Sequence, residues 1–377
     1  MITTPTGRPT LCVIDHRALR WNFKQIRGLV GARVKILSMV KADGYGHGAV
    51  AVAKTLAGAG SDAFGVATVE EGIELRRARI MQPILVLAGV YLEQLEQFLK
   101  NRLTPVIHEV VTLKLLDKRL QRLKTTLPVE IEMDTGMGRI GFPTDATDAW
   151  LPVLAKLEAV KLHGVFSHFS DAESANQRYS RKQLKSFRQV LDRLAAAKIT
   201  HRASHMAKSA ALITEPTAHF SMVRPGLILY GMYPALKLKK QIELKPVLSW
   251  QTRIIQLKRV PAGTSIGYGR TFVTKRNSLI ATLPVGYADG YRRLFSNHAQ
   301  VLVRGKRAPV VGRVSMDLTT IDVTDIRNIH QGDEVVLLGA QGGAEIGADE
   351  IAGWANTISY EIFTSIGARV PRIHTNV

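Results

Sequence analysis

Across roughly the first two thirds of the chain, short runs of branched and apolar residues alternate with longer stretches whose apolar residues recur near helical spacing. The short runs Val34–Val40, Ala63–Thr68, Pro83–Leu87, Leu103–Ile107, Pro128–Asp134, Lys161–Phe166, Ile199–Ser204 and Met222–Tyr230 read as strands buried on both faces. Between them, Glu70–Arg79, Leu92–Lys100, Val110–Lys124, Thr147–Leu157 and Arg181–Lys198 carry helical patterns, and the small-residue stretch from Ala49 is another helix candidate. Eight successive strand–helix units predict an α/β protein with an N-terminal TIM (β/α)8 barrel over residues 12–242, whose chemistry belongs at the C-terminal ends of the strands.

Near residue 240 the basic segment LKLKKQIELK leads into branched runs separated by close turn signals. Val247–Leu257, Leu279–Leu283, Ala299–Val303, Thr319–Val323 and Glu334–Leu338 are strand candidates, RGK at 304–306 and HQGD at 330–333 suit turns, and a late helix is predicted over Asp349–Asn356. A mainly-β domain is therefore expected over 243–377, together with residues 1–11.

The polar residues obey the barrel rule. Lys41 follows the first strand, Asp134 and Arg139 close the fifth, His168 closes the sixth, His205 and Ser209 follow the seventh, and Arg224 lies in the eighth. Lys41 opens KADGYGHG, a glycine-rich turn before a helix, where backbone N–H groups could cradle an anion. A lysine beside such a cradle suits a Schiff base with pyridoxal phosphate, since burial lowers an amine's pKa; a surface lysine in a flexible loop is the plainer alternative. In VEIEMD, Glu130, Glu132 and Asp134 share one face of the fifth strand, and inward-facing carboxylates need partners, Arg139 being one candidate. In the second domain, SIGYGRTF and PVGYADGYRR each hold a tyrosine between glycines, and Tyr268 would need a lowered pKa to act as a base near neutrality.

Composition narrows the function classes. The 377 residues are 46 % hydrophobic, enough for two large cores, and no apolar run reaches the ~18 residues of a membrane span. Cys12 is the only cysteine, which excludes an intrachain disulfide and a cysteine zinc site. A cytoplasmic protein without a metal is expected. The net charge of +20 is scattered along the chain without a nucleic-acid-binding pattern, so neither nucleic acid nor membrane is expected as a partner, while small anions would be attracted.

In order, VKADGYGHG, MDTGMGRIGF, VFSHFSDAE, SHMAKSAAL, MVRPGLILYG, SIGYGRTF, VGYADGYRR, VGRVSMD and RVPR resemble the alanine racemases over nearly the whole chain. The resemblance implies a pyridoxal 5'-phosphate enzyme interconverting L-alanine and D-alanine, a head-to-tail homodimer with shared sites, and D-alanine supply for peptidoglycan; a broader amino-acid racemase is the alternative. It implies Lys41 as Schiff-base lysine and one base, and Tyr268 as the second base from the partner subunit. Tyr45, Ser209, Tyr360 and the backbone of Gly226 and Leu227 would hold the phosphate. Arg224 would face the pyridine nitrogen with His168 behind it. Arg139 and the N–H of Met316 would bind substrate carboxylate, Asp317 completing the SMD motif. Many members carry a carbamylated lysine where this chain has Glu132, so Glu132 is expected to orient Arg139. Lys208 stands where asparagine often precedes the phosphate-binding serine.

Overall fold

The structure is a computed structural model that describes residues 7–377; the part of the expected N-terminal segment over 1–6 lies outside the described residues. Two compact units emerge, one comprising Leu19–Gly44 and Ala49–Lys245, the other the chain up to Ala18, Tyr45–Gly48 and Pro246–Val377.

In the first unit, eight parallel strands close into a barrel: Lys35–Met39, Ala63–Val66, Ile84–Val86, Thr104–Ile107, Leu127–Asp134, Val160–Ser167, Ala203–Lys208 and Met222–Arg224. Closure runs through Thr104–Ile107 beside Leu127–Asp134 and Met222–Arg224 beside Lys35–Met39, and Phe142–Pro143 adds a short strand. Strands covered on both faces need apolar residues throughout, as Ile36, Leu37, Val66, Val86, Val106, Ile131 and Val165 supply. The seventh strand begins at Ala203 rather than Ile199, because the preceding helix runs to Ala196, Lys198 just past it turns the chain with φ of 57°, and Ile199 to Arg202 are spent on the connection. His205 is thus inside this strand. The eighth ends at Arg224, since Pro225 cannot donate to a ladder and Leu227–Tyr230 forms a 3-10 turn.

The second unit holds a larger sheet in the order Lys306–Pro309, Gln300–Val303, Glu334–Gln341, Leu248–Arg253, Leu11–Asp15, Arg372–Thr375, with Ala344–Ile346 on Glu334–Gln341. A three-stranded sheet joins Gln256–Val260, Ser278–Leu283 and Thr319–Asp322. Two corrections follow. Residues 12–15, placed in the barrel by the sequence pattern, are a strand of this unit, paired with Leu248–Arg253 and Arg372–Thr375. The single run expected over Val247–Leu257 is two strands, parted at Ile254 and Ile255 as the chain passes from one sheet to the other. Trp250, Tyr291, Phe295 and Trp354 form an edge-to-face series with centroids 4.8–6.4 Å apart, each such pair contributing about 0.5–1.5 kcal/mol beyond its area.

Candidate active site

The residues after the first barrel strand do not form an open glycine loop. Lys41–Gly46 is a helical turn in which Ala42, Asp43 and Tyr45 have φ of 53°, 52° and 54°, and Gly44 and Gly46 are also positive: the turn is left-handed. Each non-glycine residue there costs about 1–2 kcal/mol, so the surroundings must hold the turn. Gly44 N–H donates to Val40 O at 2.8 Å, and Glu71 accepts from Ala42 N at 2.6 Å. Asp43 accepts from Ala49 N at 2.7 Å. The N-terminus of the helix Ala49–Gly58, expected as an anion cradle, therefore has its first donor occupied by its own chain.

Lys41 is accessible from the barrel mouth, yet protein crowds its amine. Desolvation, and then the charge of Arg139, lower its pKa below the ordinary lysine value, while Glu71 opposes the shift. A lowered pKa provides more free amine at neutral pH.

Arg224 ends the eighth strand with its guanidinium inside the barrel, 3 % exposed. Its Nη1 donates to His205 Nδ1 at 2.5 Å, and Nη2 donates to Ser167 O at 2.6 Å and to His168 Nδ1 at 3.4 Å. Phe166 lies beneath both groups, its ring 4.7 Å from Arg224 Cζ and stacked at 4.7 Å on His205. Because arginine only donates, His205 Nδ1 must accept; its proton sits on Nε2 and is donated to Glu130 Oε2 at 2.7 Å. Burial pushes the Arg224 pKa down to about 10, against the pull of Glu132 and Glu130, so it remains a cation at neutral pH. Burial, followed by Arg224, Lys208, Arg139 and Lys41, drives His168 well below its usual value, and burial likewise lowers His205. Both imidazoles are neutral acceptors at pH 7.

The acidic face of the fifth strand does point inward: Glu130 and Glu132 are 3 % and 4 % exposed. Their partners are histidines on other strands or loops. Glu130 takes His205, and Glu132 Oε2 lies 3.3 Å from His108 Nε2; no ion pair joins either carboxylate to Arg139 among the described residues. Asp134 instead accepts from Gly136, Met137 and Gly138 N–H at 2.9–3.1 Å, shaping the turn that leads to Arg139. Ser209 Oγ accepts from Gly226 N at 3.0 Å, joining the ends of the seventh and eighth strands, and Leu227 opens the 3-10 turn that follows. Lys208 is engaged with Glu173 at 2.9 Å.

In the second unit, Tyr45 and Tyr360 stand 6.0 Å apart at 45°, and burial raises the Tyr45 pKa, which keeps its hydroxyl a donor. Tyr268 is 71 % exposed between Gly267 and Gly269, with φ of 74° and 70°. Met316 is 53 % exposed in a turn closed by Ser315 N–H to Leu318 O at 2.9 Å. Tyr287 N and Ala288 N donate to the carbonyls of Ser315 and Met316 at 3.1 and 3.0 Å, while Asp317 accepts from Arg369 at 2.7 Å. The sequence does not single out Glu71, His108 or Phe166 for the site, and it reaches Arg369 only as the first residue of RVPR; the TVEE cap signature around Glu71 is the one other signal it carries.

The donors suit a phosphorylated pyridine aldehyde. Lys41 offers an amine of lowered pKa, and no described acceptor meets the Nε–H of buried Arg224, which leaves a donor for a ring nitrogen. A closed barrel with these groups at the strand ends defines a pyridoxal-phosphate enzyme of the barrel class.

Comparison with known proteins makes the assignment specific. Residues 14–234 match the N-terminal domain model of alanine racemase and 247–374 the C-terminal domain model. The chain is 47 % identical to the alanine racemase of Halothermothrix orenii over 98 % of its own length and 97 % of the relative's. It is 46 % identical to that of Syntrophobacter fumaroxidans, covering 94 % of each. The crystal structure of the Bacillus anthracis alanine racemase with bound L-Ala-P superposes with a TM-score of 0.93 at 34 % identity, covering 99 % of this chain and 96 % of that one. The chain belongs to the alanine racemase family, whose members are pyridoxal-phosphate-dependent isomerases that interconvert L- and D-alanine.

Proposed function

We propose that this chain racemises alanine in the cytoplasm, with Lys41 and Tyr268 as bases on opposite faces of the substrate α-carbon, and that its D-alanine supplies peptidoglycan synthesis. The observation that carries the assignment is the buried Arg224, held by neutral His168 and His205 and cationic at neutral pH. When bound, pyridoxal phosphate supplies an electron sink for the α-carbon. Arg224 tempers that sink, because a group that keeps its own proton cannot protonate the pyridine nitrogen. A tempered sink favours returning the proton to the α-carbon over moving it elsewhere.

Inversion needs a proton removed from one face and another delivered to the opposite face. Lys41 Nζ takes or gives it on one side. Tyr268 Oη does so on the other, reaching the site from the partner in a homodimer; its exposure between two glycines supports this role. Arg139 would meet the cofactor's phenolic oxygen and the substrate carboxylate, and the N–H of Met316, in the turn that Asp317 ties to Arg369, would help bind that carboxylate across the dimer. Tyr45, Ser209, Tyr360 and the backbone of Gly226 and Leu227 would hold the phosphate. Glu132 supports Arg224 by its charge, and it would orient Arg139. In domain terms, the unit of Leu19–Gly44 and Ala49–Lys245 carries the lysine, and the unit that includes Pro246–Val377 carries the second base.

The test is L-alanine in deuterated water, with D-alanine and α-deuterium measured by chiral chromatography and mass spectrometry. Wild type yields labelled D-alanine; Tyr268→Phe loses racemisation. Unchanged alanine with the cofactor-loaded protein would overturn the assignment.

A further inference from the structure

We propose that Glu71 is a positioning residue for Lys41: its carboxylate clamps the left-handed turn after the lysine to the end of the second barrel strand and so fixes where the amine stands. This rests on reading Lys41 as the cofactor lysine. Two separate backbone segments meet on one side chain. Oε1 accepts from Ala42 N at 2.6 Å, and Oε2 accepts from Ala67 N at 2.7 Å and from Thr68 N at 3.3 Å. Ala42 N belongs to the peptide unit of Lys41's own carbonyl, so this bond restrains the backbone torsions on either side of that peptide. The bond to Ala67 anchors the same carboxylate one residue past Ala63–Val66.

Glu71 is also the third residue of the helix Val69–Arg77, where with Thr68 it forms a capping box. A cap alone does not account for the geometry. The capping box needs only Thr68 N–H, which is the longest of the three bonds, while the two shorter bonds go to amides that no capping box uses. Ala42, Asp43 and Tyr45 sit in a backbone region that persists only when neighbouring structure over-determines it, and the Ala42 amide is where that constraint enters. Glu71 also opposes the influences that lower the basicity of Lys41, so the clamp holds an anion within electrostatic reach of the amine.

The experiment uses the full-length holoenzyme as wild type, Glu71→Gln, Glu71→Asp and Thr68→Ala. Backbone hydrogen exchange is read for peptides covering 41–48 and 66–72, cofactor loading by absorbance, and kcat and KM across pH. Glutamine keeps the volume and one carbonyl but cannot make charged bonds to both amides. Exchange at 41–48 should rise about tenfold or more in Glu71→Gln. A comparable fall in kcat with KM little changed should accompany it. The acid limb of kcat should move to lower pH, because removing an anion disfavours the ammonium form. Thr68→Ala should loosen 66–72 but leave 41–48 and the acid limb in place. The clamp is overturned if Thr68→Ala reproduces these changes, or if exchange at 41–48 is the same with and without the carboxylate. Should Glu71→Gln fail to fold, Glu71→Asp, too short to span both segments, gives the same exchange and kcat readings, while its retained charge leaves the acid limb near that of wild type. An inactive but cofactor-loaded wild type strikes the functional assignment, whereas Glu71-independent exchange in an active enzyme strikes the clamp.

Discussion

Glu130 touches neither Lys41 nor Arg224, yet Glu130→Gln should cost both stability and turnover. In the native barrel its carboxylate accepts from His205 Nε2 at 2.7 Å with both groups buried, and that bond fixes the tautomer in which His205 Nδ1 accepts from Arg224. Glutamine preserves the shape and can still accept from Nε2, so the charge is what is removed. A bond to a charged group contributes about 1.5–3 kcal/mol and a neutral one about 0.5–1.5, a loss near 1–1.5 kcal/mol. Arg224 then loses one of the two carboxylates that offset its burial, which brings the total to about 2 kcal/mol. For a unit of this size that corresponds to a melting point lower by about 4–8 °C. Circular dichroism melting of the holoenzyme reads the first effect. Initial rates of D-alanine formation read the second, which should fall severalfold because Arg224 is less firmly placed. A melting point within about 1 °C of wild type, with unchanged rates, would refute the inferred tautomer and the chain of bonds behind Arg224.

Stability should fall as pH drops below about 6.5. His168 and His205 are depressed in the fold relative to the unfolded chain, so between the folded and unfolded values the unfolded state binds more protons, at up to about 1.4 kcal/mol per pH unit for each group; melting from pH 7.5 to 5 checks it, and a flat profile would contradict the neutral histidines. Gly286→Ala should raise KM for alanine and lower the melting point, since a Cβ there would lie 2.3 Å from Ser315 O and 2.5 Å from Met316 C and would push the turn carrying the Met316 amide out of place. Glu132→Gln should lower kcat/KM severalfold, and a double-mutant cycle with His108→Ala should show coupling if the 3.3 Å approach matters; additive effects would assign the loss to Arg139 or Arg224 instead.

The barrel was legible because strands covered on both faces announce themselves as unbroken apolar runs, and the rule of catalysis at strand ends nominates Lys41, Arg139, His168, Ser209 and Arg224 as candidates from the many polar residues. What escaped was non-local. Leu11–Asp15 is a short strand whose partners, Leu248–Arg253 and Arg372–Thr375, lie at the far end of the chain. The helix His16–Val30 did carry a signal, with Ala18, Leu19, Phe23, Ile26 and Val30 buried along one face, but it precedes the first barrel strand, outside the eight-fold alternation. The acidic face of VEIEMD was read correctly as inward, but nothing local to that strand says that its partners are His205 and His108 rather than the nearby Arg139. Likewise KADGYGHG looks flexible in sequence, and nothing local announces a left-handed turn whose amides and side chains meet Val40, Ala49 and the distant Glu71.

The net charge of +20, dispersed over the chain, does not by itself explain anion binding, but the local arrangement does. After burial, which is the first cause, four cations, Arg224, Lys208, Arg139 and Lys41, act together in holding His168 neutral. Burial, the larger cause, disfavours charge of either sign, but the cationic part of the field that depresses His168 is one that a phosphate and a carboxylate would also meet. Behind it, Glu130 and Glu132 on the fifth strand compensate Arg224. Positive groups at the mouth over negative ones inside let the barrel keep a buried guanidinium charged, and in the proposed mechanism that permanent charge would separate reversible proton exchange at the α-carbon from the other reactions the same cofactor supports.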